Sequence, residues 1–275
     1  MAFKRIAGVI GLTLLATAAF AQTSRDGEPK QGQITFGFDG LDYNTGRTAR
    51  LGSIDATVRL FPQVTLETLA TGGRYFGEAL GGGGIYLTWK PDRKSYFTAG
   101  GGRNSNTSTT IAWSGSLEAG RTIYQAENDP VHHNLITAVE SDLKVTERAY
   151  GLSPSVHILL FDPTVIVYLP RDWALAVRAG AMHSRVGGAS TWTASGGAKL
   201  NITVTRRLNV SPAVAFDSEL SDALQINNIS SREFGGGMHF WLTKNASAGA
   251  YYFRVLYGAN HLASHSYGAS YAIRF

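Results

Sequence analysis

Cysteine is absent from all 275 residues, and charged residues account for only 16% of them. Without thiols there is no thiolate zinc site, iron–sulfur cluster, disulfide framework or cysteine nucleophile. No apolar run beyond residue 21 approaches the roughly 18 residues of a membrane-spanning helix, which excludes a helical membrane bundle. Long charge runs are missing too, and an aromatic content of 11% argues against long disorder. The formal charge of +5 is scattered and leaves no footprint for nucleic acid. What is abundant is glycine, with 32 residues, well above the usual share of about 7%.

Residues 1–21 have the three parts of a secretory signal peptide. Lys4 and Arg5 give a positive start, Ile6 to Ala18 an apolar stretch, and Ala19-Phe20-Ala21 a small-x-small cleavage pattern. Cleavage is expected before Gln22, and with no cysteine after it a lipoprotein is excluded. A short polar segment, residues 22–31, then precedes one domain over 32–275.

That domain alternates with period two. Trp192, Ala194, Gly196, Ala198, Leu200, Ile202 and Val204 share one face, opposite Thr193, Ser195, Gly197, Lys199, Asn201 and Thr203. Ile54, Ala56, Val58 and Leu60 oppose Asp55, Thr57 and Arg59, and Ile34, Phe36 and Phe38 oppose Thr35, Gly37 and Asp39. The polar faces carry small hydroxyls, glycine and single charges rather than the Lys and Glu of a water-facing sheet. That composition fits a confined lumen.

Tight breaks at Phe61-Pro62-Gln63, Pro91 to Lys94, Pro170-Arg171-Asp172, Thr205-Arg206-Arg207 and Thr243-Lys244-Asn245 alternate with longer polar connections at Leu41 to Leu51, Arg103 to Thr109, Ser218 to Ser231 and Ala259 to His265. This asymmetry is that of an outer-membrane barrel, with turns periplasmic and loops outside. Trp89 and Trp173 beside turns, and Trp113 and Trp192 near loops, suit an interfacial girdle. The chain ends with Tyr267, Ala269, Tyr271, Ile273 and Phe275 on one face. Tyr271, Ile273 and Phe275 thereby form a candidate assembly signal of the kind read by bacterial barrel-assembly machinery.

The expected fold is therefore all-β: an antiparallel transmembrane outer-membrane β-barrel of about fourteen strands, with twelve or sixteen as alternatives. The least regular stretch is Arg121 to Thr164. There strands are expected at 133–142 and 150–169, with a bulge or extra turn at Asp162-Pro163. Several stretches resemble the YaiO family of outer-membrane barrels: Leu160-Phe161-Asp162-Pro163, Tyr168 to Trp173, Ser195 to Leu200, Phe234 to Gly237 and Ser266 to Tyr271. The resemblance covers roughly residues 145–275. It implies an outer-membrane location and carries no catalytic motif.

Chemistry-bearing motifs are scarce. G-x-S-x-G, H-E-x-x-H and G-x-x-x-x-G-K-[ST] are all absent. Gly81 to Gly84 lack the lysine and helix of a phosphate loop and read as a loop edge or strand start. His132-His133, and His261 with His265, read as loop or surface residues rather than metal ligands. A group such as Ser116, His157 and Glu118 has no support from spacing. No catalytic residue, cofactor or metal ligand is assigned. Arg59, Glu67, Glu118, Arg178 and Lys199 are the lumen-facing candidates. They would either pair to hold the barrel shut or line a pore. The expected function is a passive or gated channel, or an envelope scaffold, without covalent catalysis. The alternatives are an outer-membrane enzyme acting on lipid or peptide and a partner in extracellular-polymer assembly. Outer-membrane lipid and the barrel-assembly machinery are the expected partners.

Overall fold

Alternation sustained over ten or more residues gives a strand one apolar and one polar face, and a ring of such strands encloses the polar set. A computed structural model describes residues 31–105, 111–126, 135–151, 156–216, 231–258 and 262–275. The expected signal peptide and most of the polar segment after it lie outside the described residues. Fourteen strands follow in order: β1 Gly32–Tyr43, β2 Thr48–Phe61, β3 Val64–Tyr75, β4 Glu78–Trp89, β5 Ser95–Asn104, β6 Ile111–Gln125 and β7 Ala138–Tyr150. The second half continues with β8 Val156–Leu169, β9 Trp173–Val186, β10 Ala189–Thr203, β11 Leu208–Phe216, β12 Ser231–Trp241, β13 Ala246–Tyr257 and β14 Ala263–Arg274. Each strand pairs with its sequence neighbours, and β1 pairs antiparallel with β14 to close the barrel. Closure removes the free edges of the sheet. Gly32 and Phe275 exchange both backbone hydrogen bonds, each 3.0 Å, so the first and last strands end together.

Three expectations are corrected. The strands placed at 133–142 and 150–169 become β7 Ala138–Tyr150 and β8 Val156–Leu169. Asp162-Pro163 makes neither bulge nor turn, because Phe161 faces Ala181 and Thr164 faces Arg178 with no register shift. The missing N–H of Pro163 leaves a gap in that one ladder, while Pro163 still stands opposite Leu143 in the other. The loop end is also tighter than expected. Leu41 to Tyr43 and Thr48 to Leu51 are strand, and β3 and β4 are joined by Phe76-Gly77 alone. Phe76 and Gly77 have φ of 50° and 86°, and Gly187 and Gly188 between β9 and β10 have 55° and 93°. Paired positive φ values are what two-residue primed hairpin turns require. The Gly81 to Gly84 run lies in the first half of β4, the strand start among its two expected readings.

At the opposite end, Asp92 shapes the β4–β5 turn by accepting from the N–H groups of Lys94 and Ser95, both at 2.7 Å. These bonds, the Lys94 one first, hold its carboxyl below the usual range. The exterior is a belt of exposed apolar side chains, among them Phe36, Ile54, Ile85, Leu117, Val214 and Tyr271. Ile85 and Leu117 are 61% and 66% exposed, a surface that water would penalise and lipid covers.

Candidate functional site in the barrel lumen

The positions that alternate with this apolar belt point inward, and they carry most of the charge. β2 contributes Asp55 and Arg59, β3 Glu67, β6 Glu118, β7 Glu140, Asp142, Lys144 and Arg148, β8 Asp162, β9 Arg178 and β10 Lys199. Neighbours hold several of them. Lys144 Nζ lies 3.9 Å from Glu118 Oε2. Arg178 Nη1 lies 3.7 Å from Asp162 Oδ1, a carboxylate only 6% exposed. Removing one partner of such a pair strands a charge with little water around it.

Tyrosine hydroxyls supply a second set of partners. Tyr96 donates to Glu118 at 2.9 Å and Tyr168 to Glu140 at 3.1 Å. Tyr251 on β13 reaches Asp39 on β1 at 2.6 Å. Hydrogen bonds to a charged acceptor are about twice as strong as neutral ones. Glycine makes room for these rings. A Cβ at Gly120 would sit 2.2 Å from the Tyr96 ring, and one at Gly268 would sit 2.5 Å from that of Tyr251. The glycine surplus is thus partly spent letting tyrosines lie flat against the wall.

The five lumen candidates do not form one cluster. Glu67 stands opposite Thr57 on the β2–β3 wall, one inward position along from Asp55. Glu118 and Arg178 belong to the pairs above, and Arg59 is exposed near the turn end of β2. Lys199 stands on β10, seven strands from β3 in a ring of fourteen, hence across the lumen from Glu67. Tyr271 and Ile273 lie exposed on the outer face of β14, and Phe275 lies exposed just past its end.

The loop end of the interior carries two apolar linings beside the buried Arg148 and Glu233, which the polar-lumen expectation did not include. Leu41, Tyr43, Leu51, Tyr75, Leu80 and Val255 form one buried lining. Tyr150, Val156, Ile158, Leu160 and Met182 form a second on β7–β9. A signal was present in the sequence. Above Phe38 the apolar residues of β1 change parity to Leu41 and Tyr43, so the strand turns apolar on its inner face.

Other candidates separate. Ser116 and Glu118 face inward on β6 while His157 faces outward on β8, so the three do not converge. His265 lies within β14 rather than in a loop, bonded to Tyr252 on the outside. His132, His133 and His261 lie outside the described residues. Among the described residues no group of three metal-ligating side chains occurs.

No protein family and no curated protein matches the sequence. Solved structures do match in shape. Omp33, an outer membrane protein of Acinetobacter baumannii, is 14% identical, covers 90% of this chain and 98% of its own, and has a TM-score of 0.54. The chain has the fold of a bacterial outer-membrane β-barrel. A FadL homologue of Pseudomonas aeruginosa (9% identity, 89% and 90% coverage, TM-score 0.51) shares that fold. So does a loop-deletion mutant of OmpT, an outer membrane protein of Vibrio cholerae (9%, 89% and 99%, 0.50). With its apolar exterior, this outer-membrane barrel resides in the outer membrane.

Proposed function

We propose that this outer-membrane barrel is a passive channel, acting without covalent catalysis, whose inward charges select among small solutes. The carrying observation is the inward polar face itself: ionisable groups on β2 through β10, held by neighbours and lying between the two ends of a closed fourteen-stranded ring. Eight-stranded barrels are filled by side chains, and fourteen strands enclose more space. On β2–β8 the carboxylates Asp55, Glu67, Glu118, Glu140, Asp142 and Asp162 outnumber the cations Arg59, Lys144 and Arg148. That wall favours cations, with Lys199 opposing it from across the lumen. The two apolar linings, on β1–β4 with β13 and on β7–β9, face each other at the loop end and form a partial collar that throttles flow.

The same collar favours a second reading, an envelope scaffold with a closed mouth. The stretches that resemble the YaiO family lie in β8–β10, β12 and β14 and the β8–β9 turn, and support membership of that family as part of the proposal. Outer-membrane lipid and the barrel-assembly machinery are the proposed partners. Planar-bilayer recording of the purified protein tests the channel. Stepwise currents with a reversal potential favouring cations are expected. Inserted barrels that pass no current at any voltage would overturn the channel and leave the scaffold.

A further inference from the structure

On six consecutive strands, β12–β14 and β1–β3, the outward positions are uncharged along the whole apolar belt and charged only at the loop end. The set is Arg232, Arg254, His265, Asp42, Arg50 and Arg74: four arginines, one histidine and one acid. Register places them side by side. Arg254 stands opposite His265, His265 opposite Asp42, and Arg50 opposite Arg74. Two arginines directly opposed on one sheet face repel each other unless an anion lies between them. Asp42 pairs with Arg50, its Oδ1 2.7 Å from Arg50 Nη1, and stands opposite His265.

The patch is also braced. Tyr267 donates to Asp42 at 3.0 Å, and the Arg50 guanidinium lies 5.4 Å from the centre of the Tyr267 ring. Tyr252 and His265 are hydrogen-bonded to each other. These bonds fix Arg50 and His265 on a wall that otherwise faces lipid. Arg74 and Arg254 are exposed. An outward arginine costs roughly 2–4 kcal/mol at the midplane of a bilayer and about 0–1 near its interface, so the patch belongs at headgroup level.

We propose that this outer face of β12–β14 and β1–β3 binds the phosphate groups of a phosphorylated glycolipid in the outer leaflet, with Arg50, Arg74, Arg254 and His265 as its contacts. Phosphate suits the site for three reasons. Guanidinium groups pair with it in bidentate fashion, it supplies negative charge to a basic patch that holds a single acid, and a lipid brings it to the interface where the patch sits. The apolar surface immediately below, with Phe36, Phe38, Ile54 and Tyr252 exposed, takes the acyl chains of the same molecule.

The probe is purified lipid A in its bis-phosphorylated and enzymatically dephosphorylated forms. Each is titrated against the folded barrel in neutral detergent, with complexes counted by native mass spectrometry. The bis-phosphorylated form is expected to bind wild type at least tenfold more tightly than the dephosphorylated form. The double substitution Arg74→Ala with Arg254→Ala should abolish that preference, while Lys244→Ala in the β12–β13 turn should leave it intact. Equal binding of the two forms by wild type would overturn the proposal, and this comparison needs no variant to fold. A heat-modifiable, folded double variant that keeps a tenfold preference would overturn it equally.

Discussion

Tyr251 reaches over Gly268 on β14 to place its hydroxyl 2.6 Å from the carboxylate of Asp39 on β1. The contact spans three strands across the seam where the barrel closes, joining groups 212 residues apart in the chain. Closure of the ring depends on β1 meeting β14, so a bond bridging that seam adds to the backbone ladder there. Tyr251→Phe keeps the ring and removes the donor. Hydrogen bonds to a charged group contribute about 1.5–3 kcal/mol, and the variant should lose a comparable amount of unfolding free energy. Urea unfolding in liposomes, read by gel mobility of unheated samples, checks this. An unchanged midpoint would mean the bond contributes nothing to closure.

Tyr96 and Gly120 make the complementary case. Gly120→Ala places a methyl group against the Tyr96 ring, which must swing away and give up its bond to Glu118. A loss of about 1–3 kcal/mol is expected, in the range of overpacking costs. Gly115→Ala on the same strand meets nothing closer than 3.9 Å and should be neutral or slightly stabilising, because glycine weakens a strand interior. Equal effects of the two substitutions would remove the packing role assigned to glycine.

How much of this was legible beforehand depends on what each feature needs. Strands such as β10 and β14 could be read from alternation alone, because one run of residues carries the whole signal. The closed fold and its fourteen strands followed from counting such runs. The Tyr251–Asp39 and Tyr96–Gly120 contacts could not be read, since they depend on register between strands and no single segment encodes register. Asp162-Pro163 misled for a related reason. Proline removes one ladder bond, and two intact neighbouring strands hold the backbone extended through the gap. The two-residue connections at Phe76-Gly77 and Gly187-Gly188 were hidden by the expectation that loops at this end are long. Each carries the glycine that a primed turn requires. The apolar collar was encoded in the parity change of β1, visible once Leu41 and Tyr43 are set against Phe36 and Phe38.

Lys199 and Leu200 are adjacent on β10, and alternation points them to opposite faces. Lys199→Glu should leave membrane insertion intact. Leu200→Glu should impair it, because a charge set against lipid costs up to roughly 2–4 kcal/mol by depth. In bilayer recordings the lysine reversal should shift the reversal potential further toward cations. An insertion defect confined to Lys199→Glu would invert the facing of β10.

Phe275 closes the chain, paired through both backbone bonds to Gly32. Deleting it removes the last aromatic of the outward β14 face and the final rung of the seam. Outer-membrane levels of folded protein should fall severalfold, whereas deletion of residues 22–30 should have little effect. Equal levels in immunoblots of outer-membrane fractions would argue against a C-terminal assembly signal.

The central claim is a water-accessible lumen lined by the polar face of the strands, and the absence of native cysteine makes it directly measurable. Single cysteines placed one at a time at Ala194, Ser195, Gly197, Ala198, Lys199, Leu200 and Asn201 can be exposed to a small, charged, membrane-impermeant thiol reagent in intact outer membranes. The account predicts labelling at Gly197, Lys199 and Asn201 and protection at Ala194, Ala198 and Leu200, and also at Ser195, which faces inward but is buried against the wall. Protection of all seven positions, or labelling of the second set in place of the first, would contradict it.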